Sequence, residues 1–521
     1  MNGVVRSRTR RRRAPALAVL LCALIAVTAC ASAPYTGPPP HPLPQPPLSA
    51  PGPTASHPNV VFVLTDDLSW NLIKFMPNVR ALEQDGMTFT NYTVTDSLCC
   101  PSRASIFTGK FPHDTHVLEN SGPNGGMSAF YRRHDESSTF ANSLFDHGYR
   151  TGFAGKYLNG YDPYILPTNR HDGPSGAYVP PGWSWWNGVG FGGYQEYNYA
   201  IASGHSVEQF RHSPSDYLTS VMQKRGLRFL QSNADAHTPF LLELATFAPH
   251  SPDTPAPQDV GTFKGLRAPR PPDFNRLPSP APQWLAGRPP LDAAAQARLD
   301  HIFEKRVEAV QAVDRMVGAL RNRLLIDGLA NKTVFVFSSD NGLHLGDYRL
   351  KAGKLTAFDT DVRVPLIIAG PGIRPGSTSS AVTENIDLRP TFEQLAGAPL
   401  SPTEDGHSLV PLLHGRKVPW RTVAGIEHDH PVPSPDDPDR QGPASGDPPS
   451  YDAIRSAKWI YIRYSTGDRE YYDLAKDPYE LHNLGPSLSP ARVAALDTIV
   501  DRLTTCHGAA ACWQASLPTR R

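Results

Sequence analysis

Ser97-Leu98-Cys99-Cys100-Pro101-Ser102-Arg103-Ala104-Ser105-Ile106-Phe107-Thr108-Gly109-Lys110 joins a candidate nucleophile, Cys99, to a cation four residues on, Arg103. Proline presets φ for a helix's first turn, and Ser102 is a residue type that caps exposed backbone donors. The spacing predicts a short helix after the Pro-Ser pair. Cys99 then stands just before its N-terminus, where positive potential favours an anion. A buried structural Cys pair is the alternative, and the length of the pattern weighs against it.

Apolar runs on either side of this stretch end in polar residues. Asn59–Leu64 is continuous and rich in β-branched residues, as in a strand buried on both faces of a parallel sheet. Asp66 and Asp67 follow it, and Asp340 and Asn341 follow a second such run, Thr333–Phe337. Paired oxygen donors at strand ends suit a hard divalent cation, although an Asp-rich turn has the same composition. Tyr149–Ala154 leads to Gly155-Lys156, and Phe240–Thr246 leads to His250 between prolines. Sites in open α/β sheets lie beyond the carboxyl ends of the strands. Helical patterns over 76–86, 138–147, 215–232, 293–327 and 385–397 alternate with these strands, which predicts an α/β fold. In the longest, Val307, Val310, Val313, Val317, Leu320 and Leu324 form one apolar stripe.

Cys99-x-Pro101-Ser102-Arg103, followed by Thr108-Gly109, resembles the signature of the type I sulfatases, formylglycine-dependent members of the alkaline phosphatase-like superfamily. The resemblance runs from about Asn59 to Leu484. It is strongest to N-acetylglucosamine-6-sulfatases, through Gly155-Lys156-Tyr157-Leu158-Asn159 and Ala248-Pro249-His250-Ser251-Pro252 as well. It implies a large mixed sheet flanked by helices and a smaller C-terminal antiparallel-sheet subdomain. It implies that a formylglycine-generating enzyme converts Cys99 to formylglycine, whose hydrated aldehyde attacks sulfur. One Ca2+ would be held by Asp66, Asp67, Asp340, Asn341 and the modified Cys99; thiolate and imidazole sets that would favour zinc are missing. Further implied roles are Arg103 and Lys156 on the sulfate, His250 on the ester oxygen and its leaving alcohol, Lys354 at the bridging oxygen and Asp340 as base. Family members commonly carry Lys-x-His where this chain has Lys156-Tyr157-Leu158. Asn159, or a histidine from elsewhere such as His116, is the substitute in the substrate site.

The ends of the chain bear on location. Arg6–Arg13 precedes an apolar run, Ala14–Val27, that is too short for a confident membrane span and reads as an export signal over 1–30. Val27-Thr28-Ala29-Cys30 resembles a bacterial lipobox, which would lipidate Cys30 and anchor the protein at the cell surface; plain secretion is the alternative. Residues 31–58 are Pro-rich and read as a tether. The catalytic domain is expected over 59–421 and the C-terminal subdomain over 422–521, with a Pro-, Asp- and Gly-rich loop at 431–450. Cys506 and Cys512 are the economical disulfide of an exported chain. The 521 residues carry 50 basic and 49 acidic side chains, a balance that gives no reason to expect nucleic acid as a partner.

Residues 178–199 are rich in Trp, Tyr and Gly, suited equally to stacking on a sugar or to packing. His113, like His116, is a candidate pocket or loop histidine. Three functions fit: a sulfatase on a sulfated amino sugar or glycan, a phosphonate monoester hydrolase or phosphodiesterase of the same superfold, or a lipoprotein that binds sulfated glycans without turnover.

Overall fold

Strands that are apolar at every position must be covered on both faces, and this requirement sets the architecture. The computed structural model describes residues 43–47, 52–164, 176–190, 192–430, 437 and 439–517. The expected signal, Cys30 and most of the tether lie outside the described residues. A ten-stranded sheet runs in the order Ser377–Glu384, Met87–Thr93, Leu366–Ala369, Thr333–Ser339, Asn59–Thr65, Phe240–Ala245, Arg150–Gly155, Trp185–Val189, Ala200–Ser203, Ser206–Gln209. The neighbours Thr333–Ser339, Asn59–Thr65, Phe240–Ala245, Arg150–Gly155 and Trp185–Val189 are mutually parallel. Leu366–Ala369 is antiparallel to both its neighbours, so the sheet is mixed.

Alternate residues of Asn59–Thr65 enter different cores. Val60, Phe62 and Leu64 pack on one face, and Val61 and Val63 on the other. The helix Ala293–Ile326 covers the second face with the valine and leucine stripe expected for it. The helix Cys99–Thr108 lies on the first face, with Phe140–Asp146 and Leu388–Ala396. Each fully buried Val, Leu or Phe stabilises the fold by about 1.5–3 kcal/mol. Trp183 and Trp186 belong to this core, Trp186 stacked on Phe153 and edge-on to Tyr157 and Trp183 tilted against Phe153, so these two tryptophans pack.

The C-terminal strands Val423–His428, Tyr451–Ser456, Ile460–Tyr464 and Arg469–Tyr472 form an antiparallel sheet. The helix Pro490–Leu503 covers Ile454 and Tyr461 with Leu496, Val500 and Leu503. Cys506 and Cys512 are bonded to each other.

His113 joins the two parts. Its Nδ1 faces Glu427 Oε1 at 2.6 Å and its Nε2 faces the Cys506 carbonyl at 2.8 Å. Burial disfavours the charged ring, but Glu427 outweighs it and holds the pKa at about 9, above the ordinary 6.5. The stabilisation is therefore complete below pH 6.5 and is lost as pH rises through about 9. His113→Gln is expected to cost about 1–3 kcal/mol at pH 7. Denaturant melts of both proteins at pH 7 and pH 10 check this, because the difference should shrink at the higher pH.

Candidate active site

Four adjacent parallel strands deliver their following residues to one edge. Asn59–Thr65 presents Asp66 and Asp67, Thr333–Ser339 presents Asp340 and Asn341, Arg150–Gly155 presents Lys156, and Phe240–Ala245 leads to His250. Cys99 reaches the same place as the first residue of its helix. The helix thus begins earlier than the sequence suggests, with Leu98 as N-cap and Pro101 inside the first turn. Ser102 does not cap it. Its hydroxyl donates to the Asp340 carbonyl and accepts from Asn385 Nδ2. The free donor at Cys100 N is taken by Asn120 Oδ1 at 2.9 Å.

Cys99 Sγ lies 3.3 Å from Asp66 Oδ1 and 2.9 Å from Lys354 Nζ. It marks where the oxygens of a formylglycine hydrate would stand. Lys354 also donates to Asp67 Oδ1 at 2.7 Å, and Lys156 to Asp66 Oδ2 at 2.7 Å. Arg103 Nε pairs with Asp340 Oδ2 at 2.7 Å and its Nη1 with the Lys156 carbonyl at 2.7 Å. Arg103 Nη2 is buried without a partner. His250 Nδ1 faces the Ser251 carbonyl at 2.7 Å, which leaves Nε2 toward the acids, 3.7 Å from Asp67 Oδ2. Arg306, from the long helix, binds the backbone carbonyls of Asp67 and Pro249 and so fixes two of these loops together.

Burial and charge set the protonation states. Burial raises the Asp66 carboxyl, but Lys156, His250 and Arg103 outweigh it and hold it well below the ordinary range. Burial and Asp66 push Asp340 up to about 6 against the pull of Arg103. Burial, with Asp439 and Asp66, pushes the Cys99 thiol far up, so it remains protonated at neutral pH. Burial alone would lower His250, yet Asp439, Asp67 and Asp66 raise it to about 9.

The donor set fits a divalent cation. Asp66, Asp67, Cys99 and His250 bring their ligand atoms within 4.8 Å of one another. His250 thus stands with Asp66, Asp67 and Cys99, where Asp340 and Asn341 are the further ligands expected from the sequence. Asp340 turns its Oδ2 to Arg103, and Asn341 donates to Asp67 Oδ1 at 2.6 Å. Asn341 Oδ1 is a buried acceptor without a partner, which is what an absent cation would leave. Two carboxylates and an amide oxygen suit a hard ion such as calcium.

A cavity of about 560 Å³ opens beside these groups, lined by Lys156, Asn159, Asn120, Tyr194, Asp162 and Asp437 among others. Such a volume accommodates a sugar. Asn159 is therefore at the cavity, with Leu158 buried in the core beneath it. His116 is not. It is exposed and lines a separate depression with His113 and Glu427. The side chain that sequence reasoning missed is Asp439. It bonds His250 Nε2, lies 2.8 Å from Lys354 Nζ and accepts from Asn120 Nδ2 at 2.7 Å. Its loop reads as low-complexity filler, so nothing in the local pattern marks it.

The sulfatase family model matches residues 58–398, and the model for the C-terminal region of N-sulphoglucosamine sulphohydrolase matches 351–504. N-acetylglucosamine-6-sulfatase of Homo sapiens is 35% identical over 479 residues, covering 87% of this chain and 85% of that protein. The Capra hircus protein of that name is 34% identical over 479 residues, covering 87% and 84%. A structure solved with its substrate D-glucosamine-2-N,6-O-disulfate superposes with a TM-score of 0.69 at 23% identity, over 85% of this chain and 97% of that one.

Proposed function

Since the chain belongs to the sulfatase family and is a hydrolase of that family, we propose that it cleaves 6-sulfate monoesters of glucosamine-type sugars, free or within a glycan. The observation that carries this reading is the contact of Cys99 with Asp66 and Lys354 inside a buried ring of cations. Relatives named N-acetylglucosamine-6-sulfatase support the amino-sugar substrate.

The reaction breaks the ester S–O bond with water and releases an alcohol and sulfate. Lys156, Lys354, Arg103 and His250 offset the charge of the sulfate oxygens, and in a dry site fixed cations act strongly. His250 holds a proton at neutral pH and gives it to the departing oxygen. Asp340, lifted to about 6, is matched to accepting a proton near neutrality. An aldehyde hydrate made from Cys99 would supply the attacking oxygen, and calcium held by Asp66, Asp67 and Asn341 would lower its pKa. The export signal expected over 1–30 would place this action outside the cytoplasm, and lipidation of Cys30 would hold it at the cell surface.

The first test is the mass of tryptic peptide 81–103 from protein made in its own host. Loss of the thiol in favour of an aldehyde at Cys99 is expected. A screen of 6-sulfated glucosamines, aryl sulfates and phosphodiesters should then give the highest kcat/KM on the sugars. Faster turnover of phosphodiesters would overturn the substrate class. An unmodified thiol in every copy, with no turnover, would favour a glycan-binding protein.

A further inference from the structure

We propose that Asp439 is an internal occupant of the sulfate site, a carboxylate that the substrate's sulfate group displaces on binding. The proposal rests on the sulfatase reading and adds to it a residue from a distant loop.

Four donors converge on this one side chain. His250 Nε2 and Lys354 Nζ meet Oδ1, and Asn120 Nδ2 and Asn159 Nδ2 meet Oδ2, the last at 3.4 Å. His250 and Lys354 are two of the cations assigned above to the sulfate. A sulfate oxygen accepts from the same donors as a carboxylate oxygen, so the substrate's group can take the place of Asp439 at His250 and Lys354.

Access points the same way. Cys99 is 0% exposed and Lys354 1%, so a substrate in the neighbouring cavity does not reach the reacting centre as the side chains stand. Asn120 and Asn159 line that cavity and also hold Asp439. Withdrawal of Asp439 frees the donors between the cavity and Cys99.

The chain around Asp439 allows this. Among the described residues its backbone N–H bonds locally, to Asp437 Oδ1 at 2.9 Å, and Arg440 beside it is exposed. The firm anchors come later, where Lys351 N donates to the Ala444 carbonyl and His344 Nε2 meets the Ser445 carbonyl, both at 2.8 Å. A side chain tethered this closely competes at high effective concentration. Apparent sulfate affinity is lowered by the fraction of molecules in which the site is open.

The test uses the full chain with Cys99 converted and Ca2+ present. Asp439→Asn keeps the shape and removes the charge, and it should bind inorganic sulfate about tenfold more tightly in calorimetry. In the wild-type protein, saturating inorganic sulfate should speed trypsin cleavage after Arg440 several-fold. The wild-type measurement stands alone if the variant fails to fold. Sulfate affinity unchanged or weakened in Asp439→Asn, or no change in cleavage at Arg440, overturns the proposal. A loss of Ca2+ affinity with unchanged sulfate affinity also overturns it and makes Asp439 a metal ligand. If both sulfate results hold while no sulfate ester is turned over, the sulfatase reading fails and the displacement stands. If the wild type hydrolyses sulfate esters and the sulfate results are absent, the displacement fails alone.

Discussion

Cys99→Ala should reduce sulfate ester turnover by on the order of 10⁴-fold or more, because it removes the atom on which the nucleophile is built. No other group replaces it. Cys100, the adjacent thiol, is fully buried on the core side, and burial raises its pKa to about 12. The Cys99 thiol is itself a poor nucleophile here, since burial and the facing acids Asp439 and Asp66 keep it protonated. Unconverted wild-type protein and the alanine variant should therefore be equally inactive. Their folding should differ little. Lys354 keeps Asp67 and Asp439, and Lys156 keeps Asp66, so no charge is stranded by the change. Truncating one sulfur costs about 1–2 kcal/mol. Purified variant and wild type, compared by turnover and by thermal melting, check both halves. Turnover within tenfold of the converted wild type would show that Cys99 is not the reacting residue.

The parts of this site that the sequence displays are those whose position follows from local pattern. Val60–Leu64 and Val334–Phe337, the interiors of two strands, are apolar without a break, so the burial and parallel pairing of Asn59–Thr65 and Thr333–Ser339 and the arrival of Asp66 and Asp340 at one edge follow from one rule. The stripe of the long helix follows as directly. Short, polar or Gly-containing strands carry no such signal. Ser377–Glu384 and Ser206–Gln209 sit at the sheet edges, where one side needs no partner, and Trp185–Val189 contains Gly188. A serine near a proline resembles a cap, but the actual partner of Ser102 is the carbonyl of Asp340, just past the end of a strand and 238 residues away. Asn120 and Asp439 are invisible for the same reason. Each acts only through contacts with residues remote in sequence, Asp439 meeting His250 across 189 positions. Metal ligation is partly legible. Adjacent acids at strand ends announce a candidate cation site, but the position of His250 beside Asp66 and Asp67 depends on how the loop after Phe240–Ala245 folds back.

Replacement of His250 by Asn should separate substrates by their leaving groups. A sugar alkoxide is a poor leaving group, so breaking its S–O bond needs a proton delivered in the transition state. His250 is placed for this: its Nδ1 is engaged by the Ser251 carbonyl, and its Nε2 faces the site and stays protonated below about pH 9. Without it, kcat/KM on a 6-sulfated glucosamine should fall by about 10²–10⁴-fold. An aryl sulfate with an acidic phenol leaves without help, so its loss should be about tenfold or less, the part due to one missing cation. Plotting log kcat/KM against leaving-group pKa for both proteins reads this directly, and the variant should show the steeper slope. Parallel lines would mean that His250 only binds the sulfate. Lys354 would then be the next group to test as acid, because its ammonium, 2.9 Å from Cys99 Sγ, is the remaining proton donor in contact with the nucleophile position.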